Sequence, residues 1–204
     1  MSDIALFPLS NALFPAGVLN LRIFEVRYLD LIRRCLADGT EFGVVPLLAG
    51  NEVRSPHTPE VLASVGTLAR IDACQAPMPT LLEVRCVGTH RFRLVSSQLA
   101  KYGLWTGHIE LVPDDPPVPI PASLQPSANA LGRLVAGLQR QGGDAASKPI
   151  VPPYRLDECG WVADRWCELL SLSQAEKARL LGLADPLARL SAIHAALDGQ
   201  GWLP

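Results

Sequence analysis

The chain has 204 residues, 49% of them hydrophobic and 19% charged, with a formal net charge of −2. That length suits one or two domains with a sizeable core. The near-neutral balance gives no electrostatic reason to bind nucleic acid or an anionic membrane.

The chain opens with short β-type runs. "DIALFPL" (3–9) and "GVLNLRIF" (17–24) come first, and the tripeptide Leu-Phe-Pro recurs at 6–8 and 13–15. Proline removes a ladder donor, so Phe7-Pro8 and Phe14-Pro15 are expected to end two early strands while each phenylalanine enters the core. Glu25 to Ala37 then changes period. Tyr28, Leu29, Ile32 and Leu36 form one helical stripe, and Asp38-Gly39 offers a stop. Strand runs resume with "EFGVVPLL" (41–48), "VGTLARIDAC" (65–74), "LLEVRCVG" (81–88), "HRFRLVSS" (90–97) and "LWTGHIELV" (104–112). Each is rich in Val, Leu, Ile or aromatics and bounded by turn formers. Arg91, Arg93 and Val95 alternate with Phe92 and Leu94, the pattern of a strand with one wet face.

Residues 113–126, "PDDPPVPIPASLQP", hold six prolines and read as a semi-rigid linker. Beyond it the period is helical. Leu131, Leu134, Val135 and Leu138 share one face, and Val162, Trp166, Leu169 and Leu170 another. Ser173-Gln174-Ala175-Glu176 matches a capping box, with Gly182 as its stop. Asp185-Pro186 opens a last helix, buried through Leu187, Leu190, Ile193 and Leu197. "RQGGDAASKPIVPPYR" (140–155) reads as a long loop. Trp105, Trp161 and Trp166 read as core, and Trp202 as part of a loosely held tail.

Several spaced motifs converge on one family. "LFPLSNALFPAGVLNLRIFEVRYLDLI" (6–32), "FGVV" (42–45), "VGTLARI" (65–71) and "HRFRLV" (90–95) resemble the amino-terminal, substrate-binding domain of ATP-dependent Lon proteases. "LSLSQAEKARLLGLADPLARLSAI" (170–193) is similar to the helical tail that follows it. Two positions depart from the family pattern. Val26 stands where proline is usual, and Ala16 precedes Gly17 where Leu-Phe-Pro-Gly is usual. The resemblance implies an α+β fold: a PUA-like mixed β-barrel with an inserted helix over 1–112, the linker 113–126, and an α-helical bundle over 127–204. It also implies a stand-alone, noncatalytic module that binds unfolded polypeptide or a protein partner. An edge strand of the barrel and the groove between barrel and bundle are the expected surfaces.

The residues themselves carry little chemistry. No Gly-x4-Gly-Lys-[Ser/Thr] is present to cradle nucleotide phosphates, and "GGDAASKP" (142–149) lacks the second glycine. The chain stops where the resemblance would place the ATPase module. Ser147-Lys148 are adjacent in a loop, which is no nucleophile–base arrangement, and Gly-x-Ser-x-Gly is absent. His57, His90, His108 and His194 lack ligand spacing, so neither a metal nor a cofactor is expected. The five cysteines form no Cys-x-x-Cys pair and read as reduced, mostly buried thiols. Met1 leads into Ser2-Asp3 without a basic leader, and no apolar run reaches the ~18 residues that span a bilayer, so the expected location is cytoplasmic.

Arg22, Glu25, Arg27 and Tyr28 form the densest polar group in the recognised motif and are the candidate binding residues. The structural alternative is preferred: Glu25 stands at a helix start and pairs with an arginine that locks helix to barrel. RNA binding is a rival because related folds bind modified RNA. It is disfavoured because residues 1–112 carry ten Lys/Arg against ten Asp/Glu, without aromatic–basic interleaving. An alternative from another class is a small-molecule-binding protein or an unrecognised enzyme using the cleft between barrel and bundle.

Overall fold

The computed structural model describes residues 3–52, 59–140 and 148–203. His57 and Ser147 lie outside these residues. The chain divides into two compact units, one of residues 1–113 with 172–182, the other of 114–171 with 183–204. Five α-helices and a largely antiparallel sheet make the fold mixed α+β among the described residues.

Among the described residues the first unit holds seven strands: β1 (Asp3–Leu9), β2 (Val18–Ile23), β3 (Phe42–Ala49), β4 (Val61–Leu62), β5 (Val65–Met78), β6 (Leu81–Leu99) and β7 (Trp105–Leu111). Pairing runs β1–β7–β6–β5–β3, and β3 returns to β1 in parallel, with Phe7 opposite Val44. β2 adds to the first half of β6, Val18 opposite Val87 through Ile23 opposite Leu82. Consecutive strand residues serve opposite faces. Phe7 enters one core with Leu29, Ile32, Phe42 and Cys86, while Leu6 enters a second with Val45, Phe92 and Ile109.

α1 (Val26–Asp38) covers the first of these cores. It buries Tyr28, Leu29, Ile32 and Cys35, but Leu36 remains 47% exposed. The apolar stripe is therefore turned toward Leu31 and Cys35 rather than Leu36. Gly39 ends the helix in left-handed backbone. α4 (Gln174–Leu181) belongs to the same unit, and its Ala178 packs on the second core. Lys177 Nζ donates to Asn11 Oδ1 at 2.8 Å, and Gln174 Nε2 donates to the Ser10 carbonyl. Arg91 Nη1 donates to the Leu181 carbonyl at 3.3 Å and Nη2 to that of Pro113 at 3.4 Å. Arg91 is accordingly 3% exposed, against the wet face expected of it. A buried cation at carbonyls that end a helix is favoured by the helix dipole.

Two expected strands prove to be one. "LLEVRCVG" and "HRFRLVSS" merge into the 19-residue β6. Gly88 does not break it but stays paired with Ala69. A Cβ there would lie 2.3 Å from the Phe14 carbonyl oxygen. The bare glycine lets the 13–17 loop lie against the strand, where Ala16 N–H donates to the Gly88 carbonyl and Gly88 N–H to that of Gly17. The Phe-Pro pairs are placed differently from expectation. Pro8 sits inside β1, beyond its last pair with β7, where one side of the strand has no strand partner. Phe14-Pro15 belongs to the turn before β2 and ends no strand. Both phenylalanines are buried as expected.

The second unit holds α2 (Gln125–Arg140), α3 (Cys159–Leu169) and α5 (Pro186–Gly199). Trp166 Nε1 donates to the Ser127 carbonyl at 3.0 Å, and Ser127 Oγ meets His194 Nδ1 at 2.8 Å. The proline-rich run is pinned within this unit: Cys159 N–H donates to the Val118 carbonyl, and Ile120 N–H to that of Asp157. Asp185 caps α5 through the Leu187 N–H at 2.9 Å, with Pro186 at its start. In α4 only half of the capping box forms. Ser173 Oγ accepts from the Glu176 N–H, but the Glu176 carboxylate turns to Arg179 at 2.7 Å. Trp202 is not loose: it packs edge-on against Trp166, 5.7 Å between ring centres.

Ala16 takes φ 59°, left-handed backbone that costs an L-residue about 1–2 kcal/mol. Ala16→Gly should therefore raise stability by about 0.5–1 kcal/mol, net of glycine's greater freedom in the unfolded chain. Urea unfolding monitored by tryptophan fluorescence measures it; an unchanged or lower midpoint would refute the strain argument.

Candidate functional site

Glu25 is the residue preceding α1, in extended backbone, but its carboxylate makes no cap bond. It reaches Arg27 instead, with Oε2 lying 3.1 Å from Nε and 3.0 Å from Nη2. Arg27 Nη1 donates to the Gly103 carbonyl at 2.6 Å. The guanidinium, itself 8% exposed, thus ties the first turn of α1 to the junction between β6 and β7. Its central carbon lies 4.5 Å from the Tyr28 ring centre, within cation–π range. The Tyr28 ring stacks on Phe7 at 4.0 Å. Burial pushes the Tyr28 phenol well above its ordinary range, and the Arg27 charge opposes this only in part. The phenol therefore keeps its proton and is no general base at neutral pH.

Arg22 does not join this group. It projects from β2 and pairs with Glu83, its cross-strand neighbour on β6, at 3.6 Å with both side chains largely exposed. Such a pair contributes little. Three of the four candidate residues come together, and their polar atoms are turned on one another and on the backbone.

Other reactive groups are subdued. Cys35, Cys74 and Cys159 are raised by burial, and burial pushes Cys86 up to about 12, helped by the nearby Cys35 and Cys74. These thiols are poor nucleophiles, because the thiolate is the reactive form. His108 meets Asp3 at 3.5 Å. Among the described residues no group of three or more His, Cys, Asp or Glu could hold a metal ion. No described helix is long and apolar enough to cross a membrane.

Among the described residues, grooves on the first unit include two of note. One, of about 590 Å³, is lined by Ile4, Thr40, Glu41, Leu68, Ile109, Glu110 and Leu111. Its carboxylates are already engaged: Glu41 accepts from Thr89 Oγ1 at 3.0 Å, and Glu110 meets Arg93 at 3.8 Å. The other, of about 550 Å³, runs between α1 and the β6–β7 junction. Arg27, Asp30, Arg33 and Arg34 form its helical wall, and residues 100–102, Leu104 and Thr106 the opposite one. Both grooves fall in the size range of ligand sites. The second contains Tyr102, which is 89% exposed and holds φ 62°. Sequence reasoning passed over Tyr102 and Lys101. The available signal was Lys101-Tyr102-Gly103, a basic–aromatic pair before a glycine between two strand runs.

The family model for the ATP-dependent protease La (LON) substrate-binding domain matches residues 3–199. Among solved structures, a Lon N-terminal domain protein from Xanthomonas campestris is similar over 100% of both chains, at 30% identity and a TM-score of 0.75. The N-terminal domain of a Lon protease from the Mycobacterium avium complex aligns over 98% of this chain and 97% of that one, at 15% identity and a TM-score of 0.57, a likeness of fold. No curated protein matches.

Glu25→Ala should destabilise the first unit by about 1–3 kcal/mol. It strips a buried guanidinium of its carboxylate, and Glu25's partial exposure keeps the loss below that of a fully buried pair. Thermal unfolding tests this, and an unchanged midpoint would refute it. Alkali should destabilise the fold as well. Below pH 9.0, the usual value for Cys86, folded and unfolded chains both hold the thiol proton. Above it the unfolded thiol ionises first, so stability falls toward about pH 12, the folded value. Tyr28 adds a fall of the same sign above its usual 10.0. Urea unfolding between pH 8 and 11 should show the decline, shallower in Cys86→Ala than in the parent; equal slopes would exclude Cys86 as its source.

Proposed function

Since this chain belongs to the Lon substrate-binding domain family, we propose that it is a noncatalytic module that recognises unfolded polypeptide or a protein partner. The match to a substrate-binding domain over residues 3–199 carries the reading. Two features of the first unit support it. β2 pairs with β6 alone among the described strands, which leaves one backbone edge for strand addition. The groove beside α1 offers a second surface. The noncatalytic reading is supported by the missing phosphate loop and by the protonated, buried thiols.

The returning β1–β3 pairing is the basis for reading residues 1–112 as a PUA-like barrel, and the helices after the linker as a bundle. Glu25, Arg27 and Tyr28 serve as a structural lock in this reading, with Arg22 on the exposed edge strand. The module works in the cytoplasm without cofactor, and neither nucleic acid nor membrane is its partner. A single copy binds weakly, because the avidity of linked copies is missing.

A reduced, alkylated, fluorescently labelled protein should bind the purified chain with a Kd on the order of 10–100 μM. ATP turnover and casein cleavage should stay at background. Activity that co-purifies with the chain would overturn the noncatalytic reading; an absence of binding up to millimolar chain would overturn polypeptide recognition.

A further inference from the structure

We propose that the groove between α1 and the β6–β7 junction selects acidic stretches of extended polypeptide, with Arg34 and Lys101 receiving carboxylates and Tyr102 clamping the chain. The inference rests on the polypeptide-binding reading and names the substrate feature it selects.

The first observation is an imbalance of charge. The first 112 residues are neutral, with ten cations against ten anions. The groove gathers Arg27, Arg33, Arg34 and Lys101 against a single carboxylate, Asp30. These cations are not equally available. Arg27 is committed to Glu25 and the Gly103 carbonyl. Arg33 leans on Asp30 at 3.7 Å and donates to the Pro79 carbonyl. Arg34 donates through Nε only to the Asp30 carbonyl, at a long 3.4 Å, and has no carboxylate partner among the described residues. Lys101 likewise has no ion pair with any described residue, and both side chains are exposed. Two uncompensated cations thus face one concave surface, where an incoming carboxylate gains charge-assisted hydrogen bonds.

The second observation is independent. Tyr102 is a bulky residue in left-handed backbone, φ 62° and ψ 14°, with its side chain 89% exposed. Neither strain nor exposure is explained by packing, since an exposed ring stabilises nothing in the free protein. Strain of this kind costs about 1–3 kcal/mol and persists only where surrounding contacts impose it. Here Gly103, the next residue, is fixed by Arg27. The result is an exposed aromatic at a constrained backbone position on the groove wall. Tyrosine is suited to clamp a peptide, because it adds contact area with little rotamer entropy to lose.

A polypeptide fits better than a nucleic acid. The groove presents two free cations and one exposed aromatic, whereas nucleic-acid affinity needs a track that neutralises several phosphates in succession. Its apolar lining, Ala100 and Leu104, suits side chains lying between carboxylates.

The test uses the full 204-residue chain and two labelled 12-residue peptides. One alternates Asp or Glu with Leu and Ala; the other replaces each acid by its amide. The parent chain should bind the acidic peptide about tenfold more tightly, the effect of about 1.4 kcal/mol, and 0.5 M NaCl should remove the preference. Arg34→Gln combined with Lys101→Gln should abolish the preference by weakening the acidic peptide to the level of its amide counterpart. Tyr102→Gly should weaken both peptides severalfold yet raise the melting temperature, since it relieves the strained backbone. Equal binding of the two peptides by the parent, or a preference that survives the double substitution, would overturn the proposal. Binding of unfolded protein without either peptide would overturn it too, while leaving general polypeptide recognition standing. Displacement of the acidic peptide by single-stranded RNA at equal charge concentration would reassign the groove to nucleic acid.

Discussion

Phe92 can be seated in the sheet only because the strands beside it carry glycine where its ring passes. A Cβ on Gly66, its partner on β5, would lie 2.4 Å from the Phe92 ring, and one on Gly43 of β3 would lie 2.9 Å from it. Phe92 is fully buried and anchors the second core. β6 supplies this ring and also pairs with β2, β5 and β7. The order β7–β6–β5–β3 therefore depends on a close approach that no larger residue at 43 or 66 permits. Once it is made, β3 lies beside β1, and the two faces are left for α1 and α4 to cover.

Buried arginines then fix what the sheet does not. Arg27, Arg91 and Arg189 are each under a tenth exposed, and each joins segments far apart in sequence. Arg27 links α1 to residue 103, and Arg91 links β6 to the end of α4. In the second unit Arg189 is wholly buried, with Nη1 2.5 Å from Asp115 and 3.0 Å from Asp164, and Nη2 donates to the Leu183 carbonyl. Burial works against its charge, but the two carboxylates more than restore it. A planar guanidinium satisfies several acceptors at fixed angles, which lysine cannot do. Removing any one of these arginines would leave buried acceptors or carboxylates without a donor, so the cost falls on geometry as well as on energy.

The legible parts of this fold were those set by local chemistry. Strand runs, the α1 stop at Gly39, the Asp185-Pro186 helix start and the buried phenylalanines follow from periodicity and backbone preference over a few residues. What escaped depended on contacts across the chain. "VGTHR" looks like a turn until Phe14 needs the space over Gly88. Arg91 looks wet until α4 covers it. Glu25 looks like a cap until Arg27, held by Gly103 from 76 residues away, takes its carboxylate. The site divides in the same way. Glu25, Arg27 and Tyr28 stood out because they sit close in sequence, whereas Lys101 and Tyr102 matter only because the fold sets them opposite α1.

That juxtaposition joins the two readings of the start of α1, a ligand site and a structural lock, in one proposal. The Glu25–Arg27 pair turns its own polar atoms inward, so it offers an incoming chain little. Yet the same guanidinium grips the Gly103 carbonyl, one residue from the strained Tyr102. Left-handed backbone at a tyrosine relaxes unless a neighbour prevents it. The lock therefore holds the far wall of the groove in place, and Arg34, two turns further along α1, supplies the charge together with Lys101. Positioning by the Glu25–Arg27 pair and recognition by the exposed cations Arg34 and Lys101 are separate tasks in this proposal. The helix performs both because residues 27 and 34, seven positions apart, fall on the same side of it.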